Sequence, residues 1–374
     1  MISRLAAILL LGAGALVVNA AKYPLTESHS GSTFFDGWKF PVETYDNTTS
    51  GDVFWATAQN TSLLYVNDAG RAILKVDNTS TVVYNEKRYA PKLLSKTEYA
   101  PGTVFVMDAV HVPYGCSVWG AFWTQGTNWP YNGEIDIFEG VNQRTHNMMA
   151  LHTGNTCTVD TSVSMTGNVT VEDCDQFTDS SSGCTIYDEN TYSYGEAFSQ
   201  AGGGVWVAEW TNEAIKIWFI TRSNVPSNMT ATASTFDTSG LGTPTAVYSS
   251  STCDLESLFG SIDITLCGDF AGEASVLEAT CPTLATDKTC YTTYVINDGS
   301  TTYANAYFEL NYINIYTNNA TTTSSSSTTT TAAGVSSKTS SSSSSAVKNS
   351  VDMMTPTKGL SFLAALGVIM GLIL

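Results

Sequence analysis

Three carboxylates fall within six residues in the run Gly133-Glu134-Ile135-Asp136-Ile137-Phe138-Glu139-Gly140, whose remaining side chains are β-branched or aromatic. Side chains alternate along a strand, so Glu134 and Asp136 share a face while Glu139, five positions from Glu134, would point to the other. A single extra residue repairs the mismatch. A β-bulge at Ile137-Phe138 puts all three carboxylates on one face and sends Ile135 and one of the bulge pair into the core. The outer Cα atoms would then stand roughly 13 Å apart at ~3.3 Å per step. Glu side chains leaning inward from there approach the ~5 to 5.5 Å carboxyl separation of a retaining glycosidase. Acids alternating with Ile also suit a solvated strand face or part of a Ca²⁺ site. The neighbours favour sugar chemistry, since Trp119, Trp123 and Trp129 precede the motif and His152 follows it. Flat aromatic surfaces with a few convergent polar groups are what a carbohydrate cleft needs.

The run from Gly133 to Asn142 resembles the signature of glycoside hydrolase family 16 in its bulged, laminarinase-like form. Other segments are similar to those of fungal endo-1,3(4)-β-glucanases in the same order: Phe34-Phe35-Asp36-Gly37, the stretch Cys116 to Thr124, Leu151-His152-Thr153, Gly202 to Thr211, Cys267 to Gly272, and Glu309 to Ile313. The resemblance spans roughly residues 26 to 316. It implies Glu134 as nucleophile, Glu139 as general acid and then base, and Asp136 as the residue that orients the nucleophile. It places Trp119, Trp123, Trp129, His152 and Trp210 against the sugar, with Trp210 near the floor of the site. No metal is implied in the chemistry, and room is left for a structural Ca²⁺. Three departures bear on the cleft: Phe54-Trp55 where relatives carry Asn-Tyr, Lys92 where they carry Arg, and Phe270 where they carry Trp.

The elements that must position these groups read as strands. From Lys22 to Tyr316 short β-rich runs alternate with Gly, Asn, Asp, Ser and Pro, and few segments are long and periodic enough for helices. Val104–Val110, Val205–Trp210, Ala214–Ile220 and Ala306–Tyr316 are the clearest. In the second of these, one of the sets Val205/Val207/Glu209 and Trp206/Ala208/Trp210 should face the core and the other outward. An all-β chain of this length makes a two-sheet sandwich, and the resemblance implies a concanavalin A-like jelly roll with a concave substrate cleft. Lys22–Leu25 and Phe34–Trp38 are expected to wrap the outside of the sandwich near its closing strand.

A net charge of -18 and only 13% charged residues in 374 repel nucleic acid and fit a neutral polysaccharide as partner. Residues 1–20 read as a secretory signal peptide ending at the small-residue boundary Val18-Asn19-Ala20. Residues 21–318 form the catalytic domain, and 319–348 a Ser/Thr-rich stalk too polar to bury a core. Residues 349–374 have the spacer and charge-free apolar tail of a GPI-attachment signal that is removed on joining Asn349 or Ser350 to lipid. The expected product is a monomeric extracellular glycoprotein, anchored by lipid to the outer leaflet of the plasma membrane or held in the wall. Sequons at Asn47, Asn60, Asn78, Asn168, Asn228 and Asn319 agree with export. So do eight cysteines, all inside the domain, enough for four disulfides. Proximity in sequence pairs Cys253 with Cys267 and Cys281 with Cys290. The other four, Cys116, Cys157, Cys174 and Cys184, admit three pairings. A wall-remodelling transglycosylase would share the covalent intermediate, and a non-catalytic glucan-binding wall protein would keep the aromatic cleft without needing the acids.

Overall fold

The computed structural model describes residues 22–318, apart from 155–156, 179–181, 254 and 256. The expected signal peptide, stalk and GPI signal, with the Asn319 sequon, lie outside the described residues. Among the described residues no helix is long and apolar enough to cross a membrane.

Two antiparallel sheets carry the fold. One has eight strands in the order Asn168–Val171, Cys184–Tyr187, Met148–His152, Glu134–Val141, Val118–Gln125, Leu258–Leu266, Lys92–Tyr99, Trp38–Lys39. The other runs Thr235–Asp237, Lys22–Ser30, Tyr307–Thr317, Thr103–His111, Gly204–Trp210, Ala214–Thr221, Ala246–Ser249, with two short strands, Ala72–Lys75 and Leu64–Val66, branching from Tyr307–Thr317. The four strands expected to be clearest all form. Neither sheet closes into a barrel, and the inner faces of both contribute to one continuous core.

Alternation decides which side chains enter that core. Phe105, Met107 and Ala109 face inward from one strand and Trp206, Ala208 and Trp210 from its neighbour. The opposite faces of the same strands are not left to water. Val104, Val106, Val205 and Val207 are fully buried in a second apolar cluster with Met229 and Phe236, from the segment that folds over this sheet. Both faces of Gly204–Trp210 are therefore covered, where one was expected outside. Glu209 tolerates this burial because it accepts hydrogen bonds from Tyr23 Oη at 3.0 Å and Thr238 Oγ1 at 2.5 Å.

The N-terminal segment also departs from expectation. Lys22–Ser30 is an integral strand paired with Tyr307–Thr317, and Phe34 and Trp38 are buried in the main core instead of wrapping its outside.

All eight cysteines pair, as Cys116–Cys281, Cys157–Cys253, Cys174–Cys184 and Cys267–Cys290. Both pairings inferred from sequence proximity are overturned. Cys253 and Cys267 lie on either side of the nine-residue strand Leu258–Leu266, whose ends stand roughly 26 Å apart at ~3.3 Å per step, beyond disulfide reach. Cys281 instead anchors the segment after the short helix Ala274–Leu277 to the start of the Val118–Gln125 strand. Cys290 ties the following turn to the end of Leu258–Leu266.

Candidate active site

The strand Glu134–Val141 lies at the centre of the eight-stranded sheet, between Val118–Gln125 and Met148–His152. Its ladders contain the bulge. On one side Phe122 faces Phe138 while Trp123 faces Asp136, and on the other Ala150 faces Asp136 while Met148 faces Glu139. Ile137 is the inserted residue, so Glu139 is turned back to the face of Glu134 and Asp136. Ile135, Ile137 and Phe138 are all buried in the core. Sequence spacing anticipated one of the bulge pair there, and both are inside.

Two glycines at the ends of the motif are sterically required. Gly133 has φ +95°, a conformation that disfavours side chains, and a Cβ there would lie 2.3 Å from Leu255. A Cβ on Gly140 would lie 1.8 Å from the fully buried Tyr194 ring. Just beyond, Asn142 pins the strand end. Its Oδ1 accepts the Ser117 N–H at 2.7 Å and its Nδ2 donates to Ala271 O at 3.1 Å.

The three carboxylates line a cleft of about 960 Å³ that crosses the sheet. Each has an aromatic or imidazole partner. Trp129 Nε1 donates to Glu134 Oε2, Trp119 Nε1 donates to Glu139 Oε1 at 2.7 Å, and His152 Nε2 stands 3.4 Å from Asp136 Oδ2. His152 Nδ1 lies 2.7 Å from Gln176 Oε1, and this contact makes Nδ1 the donor. Trp123 adds to the aromatic lining.

Electrostatics separates these groups. Burial raises Glu139 to about 8, helped by the charge of Asp136, while the Trp119 hydrogen bond works in the opposite direction. Burial and Glu134 raise Asp136 to about 7. Glu134 is also pushed up by burial, against the attraction of His152. For His152 burial disfavours the imidazolium, but Glu134 and Asp136 outweigh it and raise the ring to about 10. One cation thus sits among three acids, and the shared charge is lowest when one or more of the acids keeps its proton.

Trp210 is not in this cleft. It belongs to the opposite sheet, pairs with Thr103 and Ile215, and is 3% exposed in the core that also holds Ile135 and Phe138. Its inward-facing register removes it from any sugar. The Phe54-Trp55 pair is displaced as well, for Phe54 packs on Tyr89 and Trp55 is buried. From that part of the chain Thr48 and Thr49 reach the cleft instead. Lys92 does line it, held by Asp263 Oδ2 at 3.1 Å and 5.1 Å from the ring centres of both Trp55 and Trp123. Phe270 lines it too, edge-on to Trp119.

Sequence reasoning missed Asp263, Arg144 and Asn147. Arg144 stands over the rings of Tyr187 and Phe270 and donates to Tyr187 Oη. It follows Glu139 by only five residues, and that nearness was the available signal. Asn147 is wholly buried. It accepts the Glu139 N–H and donates to Ile137 O, the backbone groups that the bulge takes out of the regular ladder.

Glu134, Asp136 and His152 bring one ligand-type atom each within 4.8 Å of one another. Ca²⁺ favours an all-oxygen shell, and a set with an imidazole already engaged by Asp136 and Gln176 does not suit it. A second cavity, about 660 Å³, shares Arg144 with the cleft. Its one lining carboxylate, Glu196, accepts from Gln200, so it offers no acid pair.

Comparison with known proteins agrees with this geometry. Residues 38–316 match the family model for the XgeA-like catalytic domain of glycoside hydrolase family 16. A probable glycosidase of Schizosaccharomyces pombe is 36% identical over 270 residues, covering 70% of this chain and 63% of its own length. An endo-1,3(4)-β-glucanase of Emericella nidulans is 34% identical over 313 residues, covering 81% of this chain and 48% of its own. The chain thus spans about half to three fifths of these curated relatives. Among solved structures, laminarinase 16A of Phanerochaete chrysosporium, with two β-glucans in its donor and acceptor sites, superposes with TM-score 0.72 at 34% identity, over 79% of this chain and all of that one. An elongating family 16 β-1,3-glucosyltransferase superposes equally well, with TM-score 0.72 at 32% identity and the same coverage. A domain-length match to the family model, laid over a bulged acidic strand in a jelly-roll cleft, establishes that the chain belongs to glycoside hydrolase family 16.

Proposed function

We propose that the chain is a retaining endo-β-glucanase that hydrolyses β-1,3 and mixed β-1,3/1,4 glucans through a covalent glycosyl-enzyme intermediate. The observation that carries the reading is the bulge after Asp136, which turns Glu139 onto the face of Glu134 inside a tryptophan-lined cleft. Glu139, raised to about 8, keeps its proton at neutral pH. Trp119 occupies Oε1, so the proton resides on Oε2 and passes to the glycosidic oxygen as that bond breaks. Glu134 attacks the anomeric carbon and becomes the ester oxygen, oriented through Trp129 and its neighbour Asp136. Water then attacks the same carbon, Glu139 takes its proton, and Glu134 leaves as carboxylate. Two carboxylates complete this cycle without a metal. Trp119, Trp123 and Trp129 offer flat faces to the sugars, with His152 holding Asp136.

Glu134→Gln and Glu139→Gln test the reading: each is expected to remove most laminarin hydrolysis in a folded protein, and wild-type rates in either overturn it. NMR of the first-formed product should show retained anomeric configuration.

A second reading, transfer of the glycosyl group to another sugar, is supported by the equal similarity to a glucosyltransferase. Chromatography of products formed with and without an acceptor oligosaccharide separates the two, since transfer yields chains longer than the donor. The terminal segments support a further part of the proposal, a secreted protein held by a GPI anchor. Phospholipase C specific for phosphatidylinositol should release it from membranes when the lipid is of a cleavable type, and an intact Gly359–Leu374 tail in the mature protein overturns it.

A further inference from the structure

At the rim of the cleft, at the Glu134 end, the lining residue Trp129 is 43% exposed, and outside the lining Tyr131 is 51% and Phe177 62% exposed. Single exposed apolar residues are ordinary on a protein surface, but a contiguous group marks a binding face. Tyr131 and Phe177 form such a pair. Tyr131 and Phe177 ring centres are 5.6 Å apart, and Tyr131 follows the turn residue Trp129 by two positions.

The group is also built in. A Cβ on Gly154 would come within 2.6 Å of the Tyr131 ring, so the glycine leaves the space that this ring fills. Phe177 follows Gln176, whose N–H donates to Thr153 O at 2.9 Å, and lies three residues from Cys174, which is bonded to Cys184. The Phe177 N–H donates to Asp175 Oδ1 at 3.0 Å. Both rings sit close in sequence to residues bonded to the acidic array, since Trp129 donates to Glu134 and Gln176 contacts His152. Two other aromatic pairs with exposed members, Tyr84–Tyr291 and Phe54–Tyr89, have no residue in the cleft lining.

The geometry points to Tyr131 and Phe177 as an outer glucan-binding ledge that holds the part of a long β-glucan chain reaching out of the cleft past Trp129. The inference rests on the glucan reading of the cleft. Its occupant is a neutral sugar chain because continuity with the cleft supplies one. Pyranose rings present apolar faces that stack on aromatic rings without requiring charge. A ledge beyond the reacting centre contributes only to substrates long enough to reach it, so it sets preference for polymer over short oligosaccharide.

The test compares kcat/KM on laminarin with kcat/KM on laminaritetraose for Tyr131→Ala, Phe177→Ala and the double variant. The polymer-to-oligosaccharide ratio is expected to fall about tenfold in the double variant and to be restored by Tyr131→Phe with Phe177→Trp, which keep both rings. A ratio within twofold of wild type, or an equal loss on both substrates, overturns the ledge. Failure of the glucanase reading itself would appear differently, as no hydrolysis by the wild-type protein. Affinity electrophoresis in laminarin then decides: retardation of the wild type that the double variant loses supports the ledge, and equal migration of the two overturns it.

Discussion

The side-chain amide of Asn147 spans the bulge beneath Glu139: Oδ1 accepts the Glu139 N–H at 2.9 Å, and Nδ2 donates to Ile137 O at 3.2 Å. Asn147 is itself held, its N–H donating to Ser193 Oγ at 3.0 Å. A bulge that aims a catalytic side chain leaves backbone groups without ladder partners. Here one buried amide supplies both, which makes Asn147 a positioning residue for Glu139.

Asn147→Ala should therefore lower kcat by about tenfold or more with little change in KM. It should also destabilise the fold by about 1–3 kcal/mol, the cost of a buried polar group left unpaired. Steady-state kinetics and thermal melts check both. A melt shift with unchanged kcat would reduce Asn147 to a structural role.

If Glu139 is the acid as proposed, activity should decline as pH rises through about 8, where Glu139 loses its proton, and decline again on the acid side as Glu134 becomes protonated. The Trp119 hydrogen bond lowers the Glu139 value. Trp119→Phe should consequently move the alkaline limb to higher pH. The pH profile of kcat/KM on a soluble glucan reads this out, and an alkaline limb unmoved or shifted downward would count against Glu139 as the acid.

Stability should respond to the same group with a defined sign. Burial, with Asp136, raises Glu139 from its ordinary 4.5 to about 8, so the folded state binds more protons than the unfolded chain between these values. That contribution is fully present below pH 4.5 and is lost as pH rises through about 8. Glu139→Gln keeps a neutral side chain at all pH values. Its melting temperature should therefore exceed that of the wild type at pH 9, by a margin that shrinks as pH falls toward 4.5.

Specificity should be broad. Trp119, Trp123, Trp129 and Phe270 line the cleft, and Lys92, which lines it beside them, is engaged by Asp263. The cleft is rich in faces that stack, and stacking tolerates a change of linkage better than a fixed hydrogen bond does. Laminarin and mixed-linkage glucan are expected to be cleaved with efficiencies within a factor of about 200, equivalent to ~3 kcal/mol of discrimination. Brisk cleavage of one beside undetectable cleavage of the other would show a narrowed site.

The bulged acidic face was legible in the chain because it is written in consecutive residues. Strand alternation has a period of two, so five positions between Glu134 and Glu139 demand one inserted residue if both are to share a face. The structure has that insertion at Ile137. The same periodicity exposed the main strands, and the count of eight cysteines implied four bridges. Strand order is not a local property, and everything that depends on it was decided by tertiary structure. Trp210 and Trp119 are both aromatic residues on strands, yet one faces the core from the far sheet and the other faces the cleft from the near one. Cys253 is closer in sequence to Cys267 than to its true partner Cys157, but a whole strand holds the first two apart while the fold brings the distant pair together. Asn147 carries no motif of its own, because the backbone groups it satisfies become orphans only once the bulge is flanked by its neighbours. Periodicity fixes which face a residue shares with those nearby in sequence, whereas the packing of two sheets determines what that face meets.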